Sequence, residues 1–159
     1  MNTLVVYDTR HGFTQKCVQL LAETASSGLT LWPLREKKTL PDFSNFDRLV
    51  LGGPVYFGKF SPRVTRFCQM SFEKFGNLPY YLFVVGLSPR AAGLTSLEEA
   101  LGSERVQRAR GRFFWGGAIQ WQKLSWWEKF LVKRGRKIET DASNFDLGEV
   151  QRLAEALKE

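Results

Sequence analysis

The stretch Thr3-Leu4-Val5-Val6-Tyr7-Asp8-Thr9-Arg10-His11-Gly12-Phe13-Thr14 decides the fold. Its first five residues form a short apolar run, the pattern of a strand buried on both faces. The apolar residues that follow, Cys17, Leu20, Leu21 and Ala25, recur at helical spacing until Ser26-Ser27-Gly28 ends them. Residues 8–14 are therefore a loop that leaves a strand and opens a helix. Backbone N–H groups at a helix start, with the hydroxyls of Thr9 and Thr14, suit a dianionic phosphate. Gly12 allows close backbone approach, and Arg10 adds positive charge. There is no G-x-G-x-x-G for a dinucleotide pyrophosphate and no G-K-[ST] for a nucleoside triphosphate, so a terminal monophosphate fits best. His11, the single histidine, reads as a loop residue donating to phosphate or solvent rather than as a base. The plainer alternative is an ordinary helix start with a turn glycine.

Working outward, the alternation of strand and helix continues. Leu29 to Leu34 reads as a second strand, and residues 35–47 as a polar loop containing Pro41. Leu49 to Gly53 is a third strand. Ser61-Pro62 is a helix start, with Ser as cap and Pro at the first helical position, and Val64, Phe67, Cys68, Phe72 and Phe75 share its apolar face. Tyr80 to Gly86 is a fourth strand. Thr95 with Glu98 predicts a capping box opening a helix through Leu97, Leu101 and Val106. Phe113 to Ile119 is a fifth strand. Asp146 with Glu149 opens a last helix, and Phe145 and Val150 are spaced as a hydrophobic staple. Five apolar strands alternating with helices predict an α/β domain with a doubly wound, five-stranded parallel sheet and helices on both faces. Residues 1–159 form one domain on this reading. Ligands bind such sheets beyond the strands' C-terminal ends, which points to the loops after Tyr7, Gly53, Gly86 and Ile119.

Composition narrows the class. A chain of 159 residues can close one core without disulfides or metal. Cys17 and Cys68 fall on apolar helix faces and read as reduced core thiols. No apolar run reaches a membrane-spanning length, so a cytoplasmic protein is expected. The net charge is +7. Residues 101–140 carry ten Lys/Arg against three Asp/Glu, while the remainder balances thirteen against thirteen. That quarter also holds Trp115, Trp121, Trp126 and Trp127. Basic residues interleaved with tryptophan suggest an anionic partner: a membrane surface, an acidic small molecule or nucleic acid. No nucleic-acid module accompanies them, so nucleic acid is not expected. No nucleophile–base pair and no metal-ligand spacing is evident.

Thr9 to Thr14 resembles the flavodoxin phosphate loop, [ST]-x-T-G-x-T, with His11 in place of one Thr. Gly52-Gly53-Pro54-Val55-Tyr56-Phe57-Gly58 resembles the flavodoxin loop covering one face of the flavin ring, and Val85-Gly86-Leu87-Ser88 the loop on the ring's other side. The resemblance covers nearly the whole chain. It implies FMN as cofactor, held by Thr9, Arg10, His11, Gly12, Phe13, Thr14, Pro54, Val55, Tyr56, Phe57, Gly58, Gly86, Leu87 and Ser88. Of Tyr56 and Phe57, one is expected to stack on the ring and the other to pack in the core. Gly117-Ala118-Ile119-Gln120-Trp121, the basic stretch after it, and Glu139-Thr140-Asp141 are similar to a flavodoxin-fold subgroup that includes the bacterial quinone-dependent protoporphyrinogen IX dehydrogenases. That similarity implies an FMN-dependent oxidoreductase passing electrons from a reduced small molecule to a membrane quinone or another acceptor. An electron carrier with no substrate of its own is the alternative. The basic, Trp-rich residues 120–140 read as an insertion after the fifth strand, with a helix capped by Ser125 and Glu128. Arg90, Trp121, Lys123, Trp126, Trp127 and Lys129 are its candidate contacts to substrate or to the inner face of the cell membrane. The plainer reading of that helix is that Trp126 and Phe130 pack onto the domain with its charges as a solvated face, and a homodimer contact is a third.

Overall fold

The computed structural model describes residues 1–25, 28–75, 77–119 and 142–158. β1 (Thr3–Tyr7) is an interior strand of the sheet and is buried along its whole length. It pairs in parallel with β2 (Leu29–Pro33) on one side and β3 (Arg48–Tyr56) on the other, so that Val5 faces Leu31 and Val50 across the two ladders. β3 pairs in parallel with β5 (Tyr80–Val85), and β5 with β6 (Gly111–Gly116). The order β2-β1-β3-β5-β6 is the doubly wound α/β arrangement expected from the alternation. The chain reverses direction across the sheet between β1 and β3. In this order, for which flavodoxins are the standard example, the crevice opens at that reversal.

Both faces of the sheet are covered. On one face, α1 (Phe13–Thr24) and α5 (Leu147–Ala156) bury Cys17, Val18, Leu21, Val150, Leu153 and Ala154 against Val5, Val50, Phe83 and Trp115. On the other, α2 (Pro62–Phe75), α3 (Arg90–Leu101) and α4 (Ser103–Arg108) pack Val64, Phe67, Leu97 and Val106 on Leu4, Leu49, Leu51 and Leu82. Each strand's alternate residues thus serve opposite layers, which is why the strands read as continuous apolar runs. Cys17 and Cys68 are buried free thiols, and burial pushes both up to about 12. Ser61 accepts from the Val64 N–H at 3.3 Å and Asp146 from the Glu149 N–H at 3.2 Å, the caps that their sequence positions predict.

Several expectations need correction. The helix after the fourth strand begins at Arg90, not Thr95; Thr95 lies inside it and its hydroxyl donates back to the Ala91 carbonyl at 2.9 Å. A Ser/Thr–Glu pair is a capping box only when the preceding backbone is extended, and here Pro89 supplies that extended cap. The helix does not run on to Val106: it stops at Gly102, and α4 restarts beyond it. The third strand continues through Pro54 and Val55 to Tyr56, then returns as β4 (Lys59–Phe60) in a hairpin. The fifth strand ends at Gly116, whose φ is 74°. Beyond this corner β7 (Ala118–Ile119) pairs antiparallel with β8 (Ala142–Ser143), so a short ribbon brackets the predicted insertion. Trp115, grouped by sequence with the basic tryptophans, is fully buried and stacks on Phe83 at 4.0 Å between centroids.

A cleft at the strand ends

The loop after β1 turns on Gly12, whose φ of 87° places it in the left-handed region that glycine adopts without strain. Gly12 is the N-cap of α1, and no side chain caps this helix start. The Thr9 hydroxyl instead accepts the Gly12 N–H at 3.0 Å, closing the turn below the first helical turn. The first-turn amides of α1 therefore face the loop mouth, where an anion also meets the helix dipole. A side chain at Gly12 would meet no atom within 4 Å, so the space in front of the turn is open.

Thr9, Arg10, His11, Phe13 and Thr14 form one wall of a cleft. Pro54, Val55, Tyr56 and Phe57, from the end of β3 and the hairpin turn, form a second; Gly86 and Leu87, after β5, form a third. All three segments singled out in the sequence thus converge. The cleft is a shallow one that opens to solvent, with about 90 Å³ of space inside it. Gly12 sits at the base of the first wall as the cap, and Gly58 turns away to line an adjacent groove. Ser88 follows Leu87, half-buried, and its Oγ is a buried hydroxyl with no hydrogen-bond partner among the described residues. Neither Tyr56 nor Phe57 is a core residue, against expectation: Tyr56 is half-buried and Phe57 is 50% exposed. Their rings meet edge to face at 5.5 Å. The Arg10 guanidinium lies 4.8 Å above the Tyr56 ring centre, and the His11 ring approaches the same tyrosine at 5.9 Å. One wall thus carries helix-start amides, hydroxyls and positive charge, and the facing wall carries aromatic surface. That donor set fits a planar group bearing a phosphate.

Sequence reasoning missed the residues that hold the walls in register. Asp8 is 3% exposed. Its carboxylate accepts from Arg35 Nε at 2.8 Å and from the Ser61 hydroxyl at 2.9 Å, joining the ends of β1 and β2 to the start of α2. An acid at the end of a buried strand was the available signal, because burying it requires partners. Asn144 accepts the Gly117 N–H at 2.7 Å and donates to the Leu87 carbonyl at 3.4 Å, tying the corner after β6 to the third wall. Gly117 and Ala118 add to the cleft lining. A Cβ at Gly117 would sit 2.8 Å from the Gly86 carbonyl carbon, so the two backbones touch only because that Cβ is missing. Arg90 does not line the cleft; it pairs with Glu149 at 3.0 Å, joining α3 to α5. Trp121, Lys123, Trp126, Trp127 and Lys129 lie outside the described residues.

Residues 4–146 match the flavodoxin domain family. The chain is 22% identical over 140 residues to the protoporphyrinogen IX dehydrogenase (quinone) of Escherichia coli strain K12, covering 84% of this chain and 77% of that protein. Among solved structures, a WrbA-like flavodoxin from Agrobacterium tumefaciens superposes with a TM-score of 0.59 at 20% identity, covering 99% of this chain and 97% of the other. A Fusobacterium nucleatum flavodoxin bound to flavin mononucleotide does so with a TM-score of 0.51 at 16% identity, covering 70% and 69%. These structures share the fold, and the family match spans most of the chain: the protein belongs to the flavodoxin domain family.

Proposed function

We propose that this chain binds FMN non-covalently in the cleft and works as an FMN-dependent oxidoreductase. The observation that carries this reading is the convergence of an uncapped helix start, two aromatic rings and a glycine-lined backbone wall on one cleft at the β1/β3 crevice. In this reading the turn from Thr9 to Thr14 takes the phosphate through backbone amides and hydroxyls. Tyr56 and Phe57 flank one side of the ring and Gly86 and Leu87 the other. Bound FMN supplies one- and two-electron chemistry, and the protein contributes orientation, exclusion of water and local polarity. Gly86 and Leu87 bring backbone to the cleft wall, and hydrogen bonds from such backbone groups would tune the ring.

The finer reading is oxidation of a porphyrinogen or a similar reduced compound, with electrons passed to a quinone. It is supported by the 22% identity to a protein named for that reaction. It is also supported by Arg10, a cation in the cleft lining, which suits a carboxylate-bearing substrate. The test is anaerobic: FMN-loaded protein is mixed with protoporphyrinogen IX and a menaquinone analogue, and porphyrin fluorescence is followed. Catalytic turnover dependent on both FMN and quinone is expected. No turnover, alongside reversible reduction of the bound flavin by dithionite, would replace the enzyme with an electron carrier.

A further inference from the structure

Beside the cleft, a long open groove runs between residues 34–40, the β3–β4 hairpin, the start of α2 and the middle of α3. Its lining is charged in one sense. Arg10, Arg35, Lys37, Lys38, Lys59, Arg63 and Arg66 face it, against two carboxylates, Asp8 and Glu99. Asp8 is buried and already engaged by Arg35 and Ser61, so Glu99 is the exposed acid of the lining. The sequence places the chain's whole net charge excess in residues 101–140; folding gathers a second concentration of cations from separate stretches of the remainder, whose charges sum to zero only when taken together.

The groove is built rather than incidental. Arg35 is held by its 2.8 Å pair with Asp8, and Lys37 lies 4.8 Å over the Trp32 ring. The hairpin turn is fastened to α3 by the Ser96 hydroxyl, which donates to the Gly58 carbonyl at 2.9 Å. Apolar surface is interleaved with the charge: Met70 is 57% exposed on α2, one turn beyond Arg66. Arg10 lines both the groove and the cleft, so whatever fills one adjoins the other.

We propose that this groove is the docking surface for an acidic segment of a partner protein, seated beside the cleft. The proposal rests on the cleft reading above for what the partner comes to meet. Charge complementarity names the chemistry: cations spaced along an open groove match carboxylates spaced along a chain, whereas one small dianion needs donors converging on one point. Concavity separates a protein segment from a bilayer, which a flat or convex face would meet. Such complementarity acts first on encounter and fades as salt rises.

The test uses the full chain, isotope-labelled and read by amide NMR, with a short Glu-rich peptide as probe. Saturable shifts at residues 34–40 and at Lys59, Arg63, Arg66 and Met70 are expected, weakening with salt. The pair Arg63→Glu and Arg66→Glu should weaken binding by about tenfold or more. Arg108→Glu with Arg110→Glu imposes the same change of net charge at the opposite end of the sheet and should leave affinity within about twofold. Arg63→Gln with Arg66→Gln should give an intermediate loss, which guards against a folding defect. Equal weakening by both Glu pairs, shifts confined to other surfaces, or no saturation overturns the proposal. Binding of phosphatidylglycerol vesicles at this face without saturable peptide binding also overturns it, in favour of a lipid surface. Flavin fluorescence measured on the same samples reports the cleft separately: peptide binding with no FMN binding removes the cofactor and leaves the groove, and the converse removes the groove alone.

Discussion

At the residue scale, Phe57 carries the clearest signature of a position kept for function. It has φ of 50°, in the left-handed region, and is half-exposed. With Gly58 at φ 77° it makes the two-residue turn between β3 and β4, a place where Asn-Gly is the favoured pair. A bulky residue in this conformation costs on the order of 1–2 kcal/mol. Phe57→Asn should therefore stabilise the fold by about 1 kcal/mol, a rise in Tm of roughly 2–4 °C for a chain of this size, while weakening retention of whatever planar ligand the ring covers. Thermal unfolding with and without FMN checks both halves; a fall in the Tm of the free protein would contradict the strain argument. The turn was legible in the sequence as a glycine-bearing loop. The strain was not, because it arises from a hairpin whose return strand is two residues long.

At the scale of elements, the link between α3 and α5 carries the pH dependence. Glu149 accepts from Arg152 at 3.1 Å and from Arg90 at 3.0 Å, clasping the two helical layers around the edge strand β6. Partial burial pushes the Glu149 carboxyl up, but the hydrogen bonds from Arg152 and then Arg90 outweigh it and hold the group below the ordinary glutamate value. A depressed carboxylate adds stability above its unfolded pKa and loses it as pH falls through the folded value. Both arginines are half exposed, so screening limits the effect to a few tenths up to about 1 kcal/mol. Glu149→Gln should lower stability by that amount at neutral pH, and denaturant titrations should show the gap closing as pH drops below the normal carboxylate range. A gap that persists in acid would mean that Glu149 acts through packing. The sequence marked Glu149 as a capping-box residue, and that same position lets it reach Arg90. Local spacing predicted the cap but not the cross-layer pair, which spans 59 residues. The same blindness hid the Asp8–Arg35–Ser61 clamp and the Asn144 tie. Asp8 ending a buried strand and Ser61 capping a helix are visible locally, but which residues they meet depends on the sheet order that brings strand ends together.

At the scale of the molecule, strand alternation and apolar period were enough to foresee a parallel sheet sandwiched between helices. The three cleft walls were legible because each is a strand end followed by a loop rich in Gly, Pro or hydroxyl residues. What the pattern did not yield was element boundaries near glycine: Gly102 splits one predicted helix in two, and Gly116 ends a predicted strand early. Nor did it show the basic groove, whose cations come from separate stretches of chain. No helix among the described residues is long and apolar enough to cross a membrane.

The central claim is that the cleft is built around a phosphate-bearing flavin. Its most direct test is a fluorescence titration of the purified chain with FMN and, in parallel, with riboflavin, which has the same ring but no phosphate. Saturable one-to-one quenching by FMN is expected, with riboflavin weaker by about tenfold or more, a difference of at least about 1.4 kcal/mol. In Gly12→Asp, where a carboxylate and a strained φ replace the open turn, FMN binding should be lost. Equal affinity for both flavins, binding of neither, or full retention of FMN by Gly12→Asp would contradict the account.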